Sequence, residues 1–394
     1  MLALAGLLAA CGVTPPPAPA PSTPSPAVPS TAPTTSPTPS PRLAPSPPPD
    51  RCAALAASLS RPEQVGQLLM VGTGPSGPTP AQSRSFARHH VGSVILLGNS
   101  TAGVRTVRRV SANVHDLGGR PRGVQVMLAV DQEGGQVQRL RGRGFEEIPS
   151  AERQARLSPA ELRQQAKRWG DQLADAGVDA DLAPVADLVP AGLRETNQPI
   201  GVLRRGYGSA PEVVARQVPA FVRGLDDAGV ATAVKHFPGL GRVRGNTDTQ
   251  ARVVDTATTR RGRGLEGFRA GVDADVDMMM ISSASYRRID ADHRAAFSRV
   301  VIEEMLRGDL GFTRVMVSDD LAARAMQDLP PGQRVLRFLA AGGDLAILGD
   351  PTSLPAAAGA VVDRAGSDAA FGRQLTGHVT RVLRMKAERG LARC

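Results

Sequence analysis

Val230-Ala231-Thr232-Ala233-Val234 is a short, nearly unbroken apolar run that stops abruptly on two cations, Lys235 and His236, before Phe237-Pro238-Gly239-Leu240-Gly241. A run this short and this apolar suits a strand buried on both faces, as in a parallel sheet. The Pro and Gly after it break it into a loop. The pattern recurs outward in both directions, at Gln67–Val71, Ser93–Leu97, Val124–Val130, Asp179–Ala183, Val276–Ile281, Arg314–Val317 and Leu345–Leu348. Between these runs lie amphipathic stretches with helical spacing, among them Pro159–Ala176, Pro211–Ala228, Phe297–Arg307 and Phe371–Arg389. Strands alternating with helices in this way predict an α/β fold, a (β/α)8 TIM barrel over residues 51–394. A doubly wound open sheet is the alternative.

The residues just beyond each run are as informative as the run itself. Asp131 comes after Val130, Pro184 leads to Asp187, Lys235 and His236 come after Val234, and Asp319 and Asp320 come after Val317-Ser318. In a parallel barrel all of these fall on the C-terminal rim, where active sites are built, and Asp187 is expected among the residues that contact the substrate there. Helix N-capping would account for Asp320 or Asp350. It does not account for Lys235 and His236, which are poor caps. Asp319, at the end of Val315-Met316-Val317, is the expected nucleophile; burial there raises a carboxyl pKa, so the cations at the neighbouring strand end are expected to keep it ionised. The loop beyond Gly241 ends in Asn246-Thr247-Asp248-Thr249-Gln250 and offers Asp248 as a proton donor on a movable arm.

The segments KHFPGLG (Lys235–Gly241), VDQEGGQVQRL (Val130–Leu140) and VMVSDDLA (Val315–Ala322) resemble glycoside hydrolase family 3. They are nearest to its single-domain bacterial β-N-acetylglucosaminidases. Weaker matches are DLAPVADL (Asp181–Leu188), IGVLRRGYGS (Ile200–Ser209) and MMMISSASY (Met278–Tyr286), so the resemblance runs from about Leu59 to the C-terminus. It implies a retaining, exo-acting hydrolase of terminal β-linked N-acetylglucosamine that takes peptidoglycan fragments and forms a glycosyl ester on Asp319. It also implies that Asp131, Arg139, Lys235 and His236 hold the terminal sugar, with Arg205 (or Arg204, because this segment is two residues longer) as a further contact. One departure stands out. The subgroup carries a loop His paired with an Asp as its acid/base, and this chain has Leu240 at the first loop-His position. Depending on register, Asn246 and Asp248, or Asp248 and Gln250, replace the pair; Asp248 is the expected acid/base, and His293 looks unrelated. A β-glucosidase or β-xylosidase, a phosphorolytic variant and a catalytically impaired muropeptide-binding protein remain as alternatives.

The first eleven residues, ending Leu8-Ala9-Ala10-Cys11, read as a lipoprotein signal peptide with Cys11 as the lipidated residue. No positive n-region precedes the apolar run, so the complete signal peptide is expected to begin upstream. Residues 12–50, mostly Pro, Ser, Thr and Ala, lack the apolar mass to fold and read as a disordered spacer. The expectation is therefore an extracytoplasmic, lipid-anchored monomer. Cys52 and Cys394 bracket the globular part, and barrel termini lie close together, so a disulfide between them is expected in an oxidising compartment.

The net charge is +10, and lysine occurs only at Lys167, Lys235 and Lys386; the remaining basic residues are arginine. This is either compositional drift on a solvated surface or attraction to anionic wall polymers or lipid headgroups. With aromatics at 3 %, base-stacking platforms for nucleic acid are missing. No metal or organic cofactor is implied. Gly72–Gly77 spells GxGxxG, but it contains Pro75 and opens into no helix, so a dinucleotide site is not expected. Trp169, in a helical stretch, is assigned to packing.

Overall fold

The computed structural model of the protein describes residues 50–394. The expected signal peptide with Cys11, and all of the spacer except Asp50, lie outside the described residues. Asp50 belongs to the fold: its carboxylate accepts from the backbone N–H groups of Cys52 and Ala53, capping helix α1 (Arg51–Ser58), and pairs with Arg384.

Each apolar run forms a strand: β1 (Leu69–Thr73), β2 (Ser93–Leu96), β3 (Met127–Val130), β4 (Ala180–Asp181), β5 (Ala231–Phe237), β6 (Met278–Ile281), β7 (Val315–Ser318) and β8 (Ala346–Leu348). Their order in the sheet is β7-β6-β5-β4-β3-β2-β1-β8, all neighbours parallel. The Val317–Leu345 bridge brings β7 beside β8 and all but closes the barrel. The eight strands are buried along nearly their whole length, which is why the sequence shows continuous apolar runs rather than alternation.

The outer layer includes α2 (Val104–His115), α3 (Pro159–Asp175), α4 (Pro211–Asp226) and α5 (Ala369–Glu388). Helices α3 and α4 approach closely because Gly224 faces Ala166: a Cβ on Gly224 would lie 2.5 Å from that of Ala166. Trp169 packs against Phe221 with ring centroids 6.2 Å apart, as its helical setting implied. One expected helix is displaced. Ala295–Phe297 is a single 3-10 turn, and the helix proper begins at Val300 and runs to Asp309 with the wider π spacing. Ser298 makes the break: its hydroxyl donates to Asp290 and accepts from the N–H of Val301, which starts the helix after it.

At the end of the barrel opposite the predicted site, the buried Lys386 ammonium donates to Gln67 Oε1 (2.8 Å), Gly92 O (2.6 Å) and Gln125 O (3.0 Å). These acceptors precede β1, β2 and β3, so one side chain of α5 ties three strand entries. Burial without a carboxylate partner pushes its pKa down to about 7.

Cys52 and Cys394 are joined, with their Cα atoms 4.7 Å apart across 342 residues of sequence. The bond fastens α1 to the C-terminus beside α5. In the chain-entropy account, closing so long a loop removes much freedom from the unfolded chain. Cys52→Ser with Cys394→Ser is expected to cost about 2–4 kcal/mol. That corresponds to a melting temperature lower by roughly 3–6 °C in a scanning calorimeter, with little change in the folded spectrum.

Candidate active site

The C-terminal rim holds a cavity of about 270 Å³ lined by Asp131, Arg139, Arg205, Lys235, His236, Asp248 and Asp319, among others. Two consecutive residues, Lys235 and His236, both reach it. In a regular strand they would point to opposite faces. The register of β5 against β6 shifts between Val234 and Phe237, and this bulge turns both side chains to the cavity.

Lys235 Nζ lies 2.5 Å from Asp131 Oδ1 and 2.6 Å from Glu133 Oε1. Glu133 in turn takes Arg205 in a two-point grip, Oε2 from Nε at 2.8 Å and Oε1 from Nη2 at 2.7 Å, while Arg205 Nη1 donates to Pro199 O. Burial opposes the charge on Glu133, but Arg205 and Lys235 outweigh it and hold the carboxyl well below the usual range. Burial likewise opposes the Lys235 ammonium, and Asp131 and Glu133 overcome it, so its pKa is raised. Behind this cluster, Asp181 accepts from the Gln132 N–H at 2.9 Å, and its carboxyl is pushed up to about 8 by burial. It is therefore protonated at neutral pH and adds no charge to an already acidic neighbourhood.

Asp319 ends β7 with one side open to the cavity. Its carboxyl is raised to about 6: burial is the main cause, His236 opposes it and Asp248 adds to it. The Asp320 N–H donates to Asp319 Oδ1 at 2.9 Å and fixes its orientation. Asp320 itself accepts from Ala322 N and Gly349 N, so its role is to fold the rim.

Asp187, read from the sequence as a sugar contact, is corrected by the structure. It is 0 % exposed. Its Oδ2 meets His236 Nδ1 at 2.7 Å, and its Oδ1 accepts from His236 N and Leu240 N. With its lone pairs engaged inside the protein, it orients the imidazole and anchors the loop but does not line the cavity. A carboxylate only accepts, so Nδ1 carries the proton.

The loop after β5 puts Asp248 at the mouth, exposed, with its N–H held by Asn246 Oδ1 at 2.9 Å. Thr247 O and Asp248 O accept from Ala325 N and Arg324 N, docking the loop on the segment beyond Asp319. Leu240 is buried in the cavity wall. Gln250 bonds Gln198 away from the cavity, and His293 pairs with Asp290 in a separate depression. Of the two candidate arginines, Arg205 turns inward; Arg204, with a side chain 58 % exposed, lies near Glu152. Arg139 reaches the cavity with Nη1 on Asn99 Oδ1.

Sequence reasoning missed Glu133 and Asp181. A signal for Glu133 was present: it lies two residues beyond Asp131, and alternate residues of an extended segment share a face. Nothing local marks Asp181, whose place depends on β4 lying beside β3.

A carboxylate at the floor, a second carboxylate at the mouth and a fixed set of donors and acceptors around a one-sugar cavity can perform glycosyl transfer to water. The family described as "Glycosyl hydrolase family 3 N terminal domain" matches residues 61–385. The chain belongs to this family. It is 32 % identical over 318 residues to a beta-hexosaminidase of Stenotrophomonas maltophilia (strain R551-3), covering 77 % of this chain and 90 % of that protein. The solved beta-N-acetylhexosaminidase of Beutenbergia cavernae DSM 12333 superposes with a TM-score of 0.80 at 41 % identity, covering 84 % of this chain and 99 % of the other. A family 3 beta-N-acetylglucosaminidase from Paenibacillus sp. str. FPU-7 gives 0.76 at 29 % identity, covering 85 % and 63 %. The chain is a glycoside hydrolase with β-N-acetylhexosaminidase activity.

Because the Glu133 carboxyl sits below its unfolded value of 4.5, it stabilises the fold above that pH, and the stabilisation drains away as the pH falls below it. Glu133→Gln is expected to cost on the order of 3 kcal/mol at neutral pH. Urea titrations from pH 6 down to about 3 should show a shallower loss of stability on acidification in the variant than in the parent.

Proposed function

We propose that the protein is a retaining exo-β-N-acetylglucosaminidase that removes the terminal non-reducing sugar from peptidoglycan-derived fragments, with Asp319 as the nucleophile. The observation that carries this reading is the Asp319 carboxyl at the floor of a cavity of about 270 Å³, sized for one sugar ring and faced by the His236, Lys235 and Arg205 cluster.

In the first step a carboxylate oxygen of Asp319 bonds to C1 of the sugar as the C1–O bond to the leaving group breaks. The departing oxygen takes a proton from Asp248. In the second, Asp248 accepts a proton from water, the water oxygen bonds to C1, and the ester to Asp319 breaks. Asp131, Arg139, Arg205 and Lys235 present donors and acceptors to the sugar's polar groups. His236, with Nδ1 held by Asp187, presents the rest of its ring and keeps Asp319 more acidic than burial alone would leave it.

The chain is further proposed to act outside the cytoplasmic membrane as a monomer tethered by lipid on Cys11. The Leu8–Cys11 motif and the Cys52–Cys394 bond, which suits an oxidising compartment, support this. Cys11→Ser should move the protein from the membrane fraction to the soluble fraction of cells making it.

Asp319→Ala should lower kcat on a nitrophenyl N-acetylglucosaminide on the order of 10⁴-fold or more. A 2-fluoro sugar should label the parent at Asp319, read by peptide mass; a label on another residue would overturn the assignment. Because Asp319 must be ionised to attack and its pKa is near 6, kcat/KM should fall as the pH drops below about 6. Asp248→Asn should cost roughly 10²–10⁴-fold with a sugar leaving group, and less with nitrophenol, which departs without a proton.

A further inference from the structure

On the same C-terminal side of the barrel, between the first half of α2 and the loop after β3, runs a second and larger groove of about 970 Å³. Four of its lining residues are arginines, Arg105, Arg108, Arg109 and Arg143, and none is acidic. Arginine is abundant throughout this protein, so the absence of acid is the informative part. Three other arginine-bearing depressions each include carboxylates: Glu152 beside Arg194 and Arg204, Asp275 and Glu388 beside Arg314, and Asp292 and Asp328 beside Arg294. In the groove, only Arg108 reaches a carboxylate among the described residues, Asp175 at 4.0 Å.

Arg108 serves the fold, its Nε donating to Asp175 O at 2.5 Å, but among the described residues neither Arg105 nor Arg143 makes a side-chain hydrogen bond or ion pair. Arg105 and Arg109 are four residues apart on one helix and repel each other. Arg105 also sits in the first helical turn, where the helix dipole favours an anion; that turn has no acidic residue, and its N-cap, Gly103, offers no side chain. Bound negative charge would relieve both conflicts. The groove also connects to the site already described. Arg139, which lines the catalytic cavity, begins a backbone ladder with the loop that leads into α2: Ser100 N donates to Arg139 O, Arg141 N to Ser100 O, Gly103 N to Arg141 O and Val104 N to Arg143 O. The ladder ties the segment that carries Arg139 to the segment that carries Arg143 and to the start of α2, and Arg143 lies four residues beyond Arg139 in the chain.

We propose that this groove binds carboxylate or phosphate groups carried by the substrate beyond its terminal sugar, making the enzyme selective for anionic glycans over neutral ones. Guanidinium forks match the two oxygens of either group. The proposal rests on the glycosidase reading of the cavity at the barrel mouth.

The test is equilibrium binding by the full chain carrying Asp319→Asn, which prevents turnover, compared with the same protein bearing Arg105→Ser, Arg109→Ser and Arg143→Ser. Three fluorescent ligands separate the chemistries: a neutral β-linked N-acetylglucosamine disaccharide, N-acetylglucosamine β-linked to a lactyl-ether amino sugar, and N-acetylglucosamine β-linked to a phosphodiester chain. The triple variant should bind at least one anionic ligand about tenfold more weakly, and the difference should shrink at high salt. The neutral ligand should bind as before, which also shows that the variant is folded. Which anionic ligand responds identifies the group. Unchanged binding of both anionic ligands would overturn the proposal, as would an equal loss for the neutral one. Anionic lipid vesicles that lose binding while both glycans keep theirs would overturn it in favour of a membrane surface. A wild-type chain that hydrolyses nothing would remove the glycosidase reading, while the binding comparison still decides whether the groove takes anions.

Discussion

A single ammonium, Lys235 Nζ, sits between Asp131 and Glu133 at 2.5 and 2.6 Å inside the mouth of the barrel, and the candidate active site depends on it. Burying one charge is costly; burying three becomes tolerable only when each is paired and hydrogen-bonded. Glu133 extends the set to Arg205, which spans back to Pro199 O, so strands β3 and β5 and the loop beyond β4 are locked by charges that cannot separate cheaply. Asp181 stays protonated behind them and spares the cluster a further negative charge. A mobile lysine or arginine on the surface could bind a sugar hydroxyl, but it would first have to lose its freedom. These have already lost it.

The second constraint is the bulge in β5. It turns Lys235 and His236 to the same cavity, one against Asp131 and Glu133 and the other where its charge acts on Asp319. Asp187 then fixes the His236 ring from within the protein. Neighbouring residues of one strand thus hold the acidic pair and tune Asp319, which links the ionisation of Asp319 to the geometry of the charged cluster. The substitution of Leu240 for a loop histidine leaves Asp248 as the carboxylate at the mouth. Its charge acts on Asp319 across the cavity and raises that carboxyl's pKa further.

Charge is distributed differently on the outside. Arg260 with Glu304 and Asp309, and Arg163 with Asp227, make local pairs of the ordinary exposed kind, worth little individually. At the far end of the barrel, Asp344 gathers His378, Arg381 and Arg307, and its carboxyl is held down to about 2 by these partners despite burial. That network and Lys386 fix the far end, whereas among the described residues Arg105, Arg109 and Arg143 in the groove along α2 have no carboxylate partner. The contrast separates arginines that serve the fold from arginines that do not.

The sequence by itself determined the barrel, because a strand buried on both faces must be apolar throughout, and eight such runs appear with helices between them. It also determined which residues stand at the rim, because a strand's last apolar residue gives way to whatever the rim requires: Asp131, Lys235, His236 and Asp319 were legible for that reason, and Cys52 with Cys394 for their positions at the two ends. Only the tertiary structure decided what these residues do to one another. Asp187 and Asp131 both come after strand-like runs, yet one is sealed inside against His236 and the other faces the cavity. Arg204 and Arg205 are adjacent and chemically identical, yet only one meets Glu133. Glu133 and Asp181 gain their roles from charges and strands brought in from elsewhere in the chain. Pairing, burial and pKa depend on distances between residues far apart in sequence, and a linear pattern carries no such distances.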